Sequence, residues 1–513
     1  MDFPDLEWSD TPADRVAYAR DLWPRHHLRV RGGKPFVSRP RRIVWPKTTE
    51  DVSAIVRWAH EHRVPIVPFG AGSGVCAGVL PTSEAVIIDM KRMKAVRRLD
   101  REASVVDVEA GLLGIHFEEW LGREGFTLGH FPSSILCSTV GGWVAGRSAG
   151  QNSGYYGKIE DMVASIECVT GTGEIVKLER RTEGPDLLPL MIGSEGIFGV
   201  ITSMELRIHP KPTVRSYAAW SFPSTEDGWN AMRVAFQEGL RPAVCRLYDP
   251  FDAMIAKRGA VRREKHGPRA PGAGERALRA LLRQPELFND ILDNRFSAKA
   301  LGGAMVVTVF EGQGDRIADD CERMRALMAK LGGAYEGEGP AQRWFKHRYS
   351  ISYRQSPVLA SGLFLDTMEV AATWSDLPRL FDNVRHALGK EAFVMAHLSH
   401  AYPDGCCIYF SFAGRGIQEG SETWDDACER VYERTWERAL RAAAESGGTI
   451  AHHHGVGRSK APMLRAESGY GVDVVRALKR AFDPRGILNP GAIIPEEAVG
   501  QGDIHPHAIV SAP

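Results

Sequence analysis

Pro68-Phe69-Gly70-Ala71-Gly72-Ser73-Gly74 follows directly on the short apolar run Val64–Pro68, and what comes after this turn decides the fold. Glycine lets the main chain pass close to a phosphate and aim successive N–H groups at it. Gly72, Gly74 and Ala77 satisfy the G-x-G-x-x-G/A spacing of doubly wound dinucleotide sites. Such a site needs a helix straight after the turn, with its N-terminus on the pyrophosphate. Here Val79-Leu80-Pro81-Thr82-Ser83 follows, and Pro81 stops any helix before the next strand. The doubly wound reading fails on context. The turn is left as a phosphate cradle of another fold or a glycine-rich loop with no ligand.

Working outward, Arg41–Trp45 predicts a strand, and Thr48 caps a helix from Glu50 to about His62. Strands are predicted at Val64–Pro68, Ala85–Asp89, Ser104–Glu109, Ile166–Val169 and Val200–Ile208, with helical stretches at Leu112–Glu124 and Leu187–Ile192. Strands and helices do not alternate regularly, so the class is α+β. Pro210-Lys211-Pro212 marks a first boundary. Beyond it Asp227–Phe236, Ala304–Glu311, Asp319–Lys330, Ser361–Val370, Ser375–Leu388 and Cys406–Ala413 alternate in a βαβ-like way, and a helix Trp424–Glu445 leads back. The predicted organisation is a helical lead-in (1–40), a first lobe (41–212), a cap lobe (213–445) and a returning segment (446–513). The last contains a short helix stopped at Asp483-Pro484-Arg485-Gly486.

A chain of 513 residues, 43% apolar, has material for two cores. Lys plus Arg equals Asp plus Glu, 64 against 64, which argues against nucleic acid as a partner. Eight Cys without a C-x-x-C pair read as reduced residues. The acidic start lacks a signal-peptide layout, no apolar run would span a bilayer, and Ser511-Ala512-Pro513 is no peroxisomal or retention signal. A cytoplasmic protein is expected. Between Lys257 and Arg283 nine Lys/Arg face only Glu264 and Glu275. The segment reads as a solvated loop or, more sharply, as a peripheral contact to an anionic lipid surface.

A second small-residue stretch, His130-Phe131-Pro132-Ser133-Ser134-Ile135-Leu136-Cys137-Ser138-Thr139, is followed by Gly146-Arg147-Ser148-Ala149-Gly150. Two successive turns of hydroxyl and glycine residues suit a diphosphate and a flat ring against backbone. Gly146–Gly150 also fits the G-x-S-x-G nucleophile elbow of serine hydrolases. That elbow needs a strand before the serine and a helix after it, and polar, glycine-rich sequence follows instead.

Together with Glu195-Gly196-Ile197-Phe198-Gly199-Val200-Ile201, these stretches occur in the order of the vanillyl-alcohol-oxidase (PCMH-type) FAD-binding domain. Within that superfamily the chain resembles the alkyldihydroxyacetonephosphate synthase family. Four stretches carry the likeness: Gly129–Trp143, Tyr156–Asp161, Tyr402–Phe410 and the Gly447–Gly457 segment with its triple histidine. It runs from about residue 40 to 495, and departs from the family pattern at Ser133, Ile135, Leu136, Cys137, His397 and His400. The resemblance implies a two-lobed fold with an α+β cap, and FAD held by Pro68–Gly74 and Ser133–Thr139 at the diphosphate. Gly146–Ala149 would lie on the flavin side and Glu195–Ile201 on the adenosine side. It makes Tyr402, Arg246, His452, His453 and His454 catalytic and Arg354 substrate-binding. No histidine in the glycine-rich turn offers a covalent flavin link, so noncovalent FAD is expected.

The family reaction exchanges the acyl chain of an acyl-dihydroxyacetone phosphate for a fatty alcohol, making an ether lipid through flavin N5 without net redox change. The residue types suit it. Tyr can serve as a base when cations stabilise its phenolate, Arg pairs with phosphate esters, and His moves protons near neutral pH. The plain alternatives are a packing tyrosine, arginines paired with core carboxylates, and a zinc site at the histidines, which His397 and His400 near Tyr402 keep open. Adjacent residues of an extended segment face opposite ways, so the three histidines are not read as metal ligands. The rival function is an FAD-linked oxidase or dehydrogenase of a 2-hydroxy acid or alcohol; a non-enzymatic flavin carrier would not need the Tyr–Arg–His set. Substrate and flavin are expected to meet between the lobes. A homodimer and a peripheral membrane contact are compatible with either enzyme.

Overall fold

Thr48 opens the first long helix, Thr49–His62. Its hydroxyl accepts from the Asp51 N–H at 3.1 Å and Asp51 returns the bond to the Thr48 N–H at 3.1 Å, so two orphan donors are satisfied reciprocally. The computed structural model describes residues 3–36, 38–258, 283–293, 301–314, 316–350 and 356–495. They divide into two compact units: Met1–Gly150, Tyr156–Lys211 and Ile450–Pro513 form one, Gln151–Tyr155 and Pro212–Thr449 the other. Among the described residues no helix is long and apolar enough to cross a membrane. Among the described residues, which include all eight cysteines, there is no disulfide.

The first unit holds two principal sheets. Strands β1 (Trp8–Ser9), β2 (Arg42–Val44), β3 (Ile66–Phe69) and β4 (Val86–Asp89) lie in the order β1-β2-β4-β3, with β2, β4 and β3 parallel. Their Val/Ile runs are buried, as parallel strands covered on both faces must be. The lead-in is therefore not only helical: β1 adds an antiparallel edge to β2, beside the short helices Pro12–Ala17 and Arg25–Arg31. At the other end Leu488 bridges to Ile66 in parallel, so the C-terminal segment covers the edge of β3. The second sheet is antiparallel, in the order β5 (Val96–Asp100), β6 (Val105–Glu109), β10 (Val200–Arg207), β8 (Val163–Val169), β9 (Ile175–Glu179). The short strands β7 (Phe126–Thr127) and β11 (His209–Pro210) pair separately.

The second unit is one seven-stranded sheet. Its order is β15 (Ala334–Gly337), β12 (Val214–Phe222), β14 (Ala304–Gly312), β13 (Val244–Tyr248), β17 (Ala392–Ala401), β18 (Gly405–Gly414), β16 (Phe364–Thr373), and every recorded pairing is antiparallel. The βαβ-like alternation has a specific origin here. Strands β12 and β13, joined by helix Thr225–Gln237, are both antiparallel to β14 and so run parallel to each other, with β14 slotted between them. Strands β16 and β17, joined by helix Leu377–Gly389, hold β18 in the same way. These are split β-α-β units, whose parallel strands never hydrogen-bond to one another. Helix Leu377–Gly389 buries Leu377, Leu380, Phe381, Val384 and Leu388, the i, i+3, i+4 stripe that covers a sheet.

The basic segment Lys257–Arg283 lies outside the described residues, apart from Arg283 and the backbone of Lys257 and Arg258 at the end of helix Pro250–Arg258.

Candidate active site

In the first unit, β3 delivers its last residue, Phe69, into the glycine-rich turn. A Cβ on Gly70 would stand 2.4 Å from Thr139 Oγ1, and Gly72 has φ +62°, so neither position admits a side chain without a shift. The turn is held from outside. Lys91 Nζ donates to the Gly70 carbonyl at 3.0 Å and to buried Asp89 at 2.7 Å, and Asp89 also accepts from Tyr18 and Trp45. Asp21, from the lead-in, accepts from the N–H groups of Gly78 and Trp23, and the Leu22 N–H donates to the Gly74 carbonyl at 2.9 Å. Burial pushes the Asp21 carboxyl up to about 7. Among the described residues Ala71, Gly72 and Ser73 make no hydrogen bond, although all three are half-buried. Main-chain donors in that condition call for an acceptor, and a diphosphate fits them.

The second stretch faces this turn through Thr139, which caps helix Val140–Ala145 by accepting from the Gly142 N–H. Ser138 Oγ accepts from Trp143 Nε1 at 2.8 Å, and Ile135 is buried while Ser133 and Leu136 are exposed. Arg147 takes φ +51° and turns its guanidinium outward to Glu160 at 3.1 Å. Ser148 Oγ meets His130 Nε2 at 2.7 Å. This pair looks like a serine–histidine dyad but lacks its parts. Among the described residues His130 Nδ1 has no hydrogen-bond partner, burial pulls the imidazole down to about 3, and Ser148 follows a helix and a left-handed residue rather than a strand. The elbow reading is thereby excluded.

Glu195, in the left-handed region at φ +48°, does something the sequence does not announce. Its carboxylate accepts from the Val456 N–H at 2.6 Å and the Gly457 N–H at 2.8 Å, immediately after the three histidines. Burial pushes this carboxyl up to about 7, against the lowering by those two donors and the Lys460 charge. Asn489 Nδ2 donates to both the Glu195 and Gly78 carbonyls, and the Arg458 and Ser459 N–H groups donate to the Cys76 carbonyl. The histidine loop is thus fastened to the extension of the glycine-rich turn. Ile197 and Phe198 are buried, Gly196 has φ +79°, Val200 and Ile201 begin β10, and Gly199 packs against the Val169 carbonyl.

The histidines themselves differ from an extended segment. His452 and His453 bring their Nδ1 atoms within 3.0 Å, and the rings of His453 and His454 lie 4.6 Å apart. His452, His453 and His454 lie in successive bends rather than in a strand, and this gathers rings that alternation would have separated.

In the second unit strand register lays a polar stripe on one sheet face. Tyr248 pairs with His397, His397 with Tyr409, and Tyr409 with Glu369; Arg246 lies two residues from Tyr248 on the same face. The guanidinium of Arg246 packs on Tyr248 and Trp344, and its Nε is buried without a hydrogen-bond partner among the described residues. His397 stacks on Tyr409 at 4.7 Å and 13°, with Nδ1 3.6 Å from Asp252. Tyr402 opens the β17–β18 hairpin turn. Its N–H donates to the Gly405 carbonyl and its carbonyl accepts from Trp374 Nε1 at 2.9 Å, so the backbone under the phenol is fixed. The Tyr402 hydroxyl reaches Ser153 Oγ at 3.5 Å, and Ser153 meets His400 Nδ1 at 2.8 Å. His397 and His400 turn to different partners, so the pair does not gather on one ion. Arg354 lies outside the described residues.

Residues 40–179 match the model of the FAD binding domain, and residues 211–493 that of the FAD linked oxidases, C-terminal domain. The chain belongs to the FAD-linked oxidase family, and its cofactor is FAD. Within that family it is similar to alkyldihydroxyacetonephosphate synthases. The one from Trypanosoma brucei brucei is 31% identical, over 93% of this chain and 76% of its own length. A solved alkyldihydroxyacetonephosphate synthase superposes with TM-score 0.72 at 26% identity, covering 95% of this chain and 82% of that one. Glycolate oxidase subunit GlcD of Bacillus subtilis (strain 168) is 27% identical, over 96% of this chain and 94% of its own length.

Proposed function

We propose that the protein is an alkylglycerone-phosphate synthase-like transferase, which exchanges the acyl chain of an acyl-dihydroxyacetone phosphate for a fatty alcohol. The observation that carries the reading is the cluster of the second unit. Arg246 presents a buried guanidinium nitrogen in need of an acceptor, on the same sheet as the hairpin that fixes Tyr402. A buried arginine suits a phosphate ester, and a positioned phenol suits removal of a proton beside a ketone.

In this reading Ala71, Gly72, Ser73 and Thr139 hold the diphosphate of FAD, Gly146–Ala149 lie toward the flavin and Glu195–Ile201 toward the adenosine. Bound FAD supplies an electrophilic ring nitrogen to the substrate carbon. Arg246, with Arg354, binds the phosphate; Tyr402 takes and returns the proton; the His452–His454 loop orients the carboxylate that departs and the alcohol that enters. The substrates are lipids drawn from a membrane surface.

A second reading, an FAD-linked oxidase of a 2-hydroxy acid, is favoured by the near full-length likeness to glycolate oxidase subunit GlcD. The two separate under anaerobic conditions with palmitoyl-dihydroxyacetone phosphate and hexadecanol. Ether product with the flavin still oxidised, lost in Tyr402→Phe, is the expected result. Absence of product together with bleaching by 2-hydroxy acids refutes it.

A further inference from the structure

His400 sits where the β17–β18 ladder slips. The register shifts between Ser399 and Ala401, and His400 takes φ +54°. A bulge with a left-handed non-glycine residue re-aims a side chain at a conformational cost, and such strain collects at working sites. Here it turns the imidazole toward two hydroxyls: Nδ1 to Ser153 Oγ at 2.8 Å and Nε2 to Tyr409 Oη at 3.2 Å. Ser153 in turn lies 3.5 Å from the Tyr402 hydroxyl, the long limit of a hydrogen bond.

One proton arrangement serves all three contacts and leads away from Tyr402: Tyr402 donates to Ser153, Ser153 donates to the Nδ1 lone pair, and Nε2–H donates to Tyr409, which requires the neutral Nε2 tautomer of His400. We propose that Ser153 and His400 form a proton relay that receives the phenolic proton of Tyr402. The proposal rests on the reading of Tyr402 as the base. The Tyr402 O–H bond breaks as the proton moves to Ser153 Oγ, and the Ser153 proton moves to His400 Nδ1. A phenolate and an imidazolium result. Tyr402 then takes one proton from substrate carbon and later returns one, while His400 keeps the parked proton throughout.

Tyr409 (β18) and His397 (β17) flank the imidazole, and Glu369 (β16), Cys407 (β18) and Arg246 (β13) lie along the same face; burial, with the Cys407 and Glu369 charges, holds the Tyr409 hydroxyl in its neutral form against the opposing pull of Arg246. Ser153 and His400 are therefore positioning residues with a chemical task, acting on substrate through Tyr402.

The test uses FAD-loaded protein. His400→Asn tolerates the left-handed backbone and keeps an acceptor near the Nδ1 position, but cannot take a proton. Ser153→Ala breaks the link, and Ser153→Thr restores a hydroxyl. Tyrosinate absorbance is titrated as the difference between each protein and its Tyr402→Phe counterpart, without substrate. Wild type and Ser153→Thr should already show Tyr402 tyrosinate absorbance at neutral pH, before the phenol titrates, and His400→Asn and Ser153→Ala should not. The last two should lose about 10²-fold or more in exchange rate with FAD content unchanged. Identical titrations in all four overturn the relay. A wild-type protein that makes no ether product overturns the synthase reading instead, and the titration still decides the relay.

Discussion

Replacing Glu195 by Gln should narrow the stability gap between variant and wild type as pH rises. The carboxyl holds two backbone donors, Val456 N–H and Gly457 N–H, yet burial raises it from its ordinary 4.5 to about 7. A group that binds its proton more tightly in the folded chain adds stability that is complete below its unfolded value and lost as pH climbs through the folded one. The window runs from about pH 4.5 to 7, and the rise corresponds to on the order of 3 kcal/mol. Glutamine does not titrate. At low pH wild type carries the acid, whose hydroxyl oxygen still accepts with its proton turned away, whereas the glutamine NH2 cannot accept and leaves one N–H facing an amide donor at a cost of about 1–3 kcal/mol. At pH 5 wild type should be the more stable; by pH 8 the gap should close or reverse. Urea unfolding of the FAD-loaded protein, followed by circular dichroism and flavin fluorescence from pH 5 to 8, measures it. A gap that widens with pH would mean a depressed carboxyl and refute the reasoning.

Two further outcomes follow from the first unit. Gly70→Ala places a Cβ 2.4 Å from Thr139 Oγ1, so flavin content after purification should fall, and Gly70→Ala/Thr139→Ala should regain part of it; full FAD loading of the single variant counts against the crowding. Lys479 Nζ donates to the carbonyls of Ile197 and Leu488 and to buried Asp483, so Lys479→Met strands that carboxylate and should cost about 3–5 kcal/mol by thermal unfolding, with Asp483→Asn offsetting part of the loss.

Local chemistry made the first lobe readable. Thr48 with Asp51 announces a helix start, Pro81 rules out a helix after the turn, and the Val/Ile runs of β3 and β4 look buried because they are. What stayed hidden is pairing over long separations. Nothing near Asp21 says that it will brace Gly78, and Glu195 reaches a partner 261 residues away. The slotting of β14 and β18 between parallel strands was equally out of reach, since buried strands read alike whichever way their neighbours run. Among the candidate residues, His400 stands out in the sequence as a departure from a family pattern and, with His397, as an alternative metal ligand near Tyr402; its bulge is a property of the β17–β18 register, which one strand alone does not display. The gathering of the His452–His454 rings comes from backbone bends at the histidines themselves, where the alternation rule for extended chain does not apply.

The bridge between Ile66 and Leu488 sets a timetable for synthesis. More than 400 residues separate the two partners, and at about 5–20 residues per second a ribosome takes tens of seconds to cross that distance. During that interval the edge of β3 has no neighbour, the Glu195 carboxylate has no donors from Val456 and Gly457, and the Gly78 and Glu195 carbonyls wait for Asn489. The stretch from Pro212 to Thr449 can complete its sheet first, although it lies later in the chain than most of the first unit. The flavin-binding half is thus begun first and finished last, and nascent chains halted short of Leu488 should be a preferred load for chaperones.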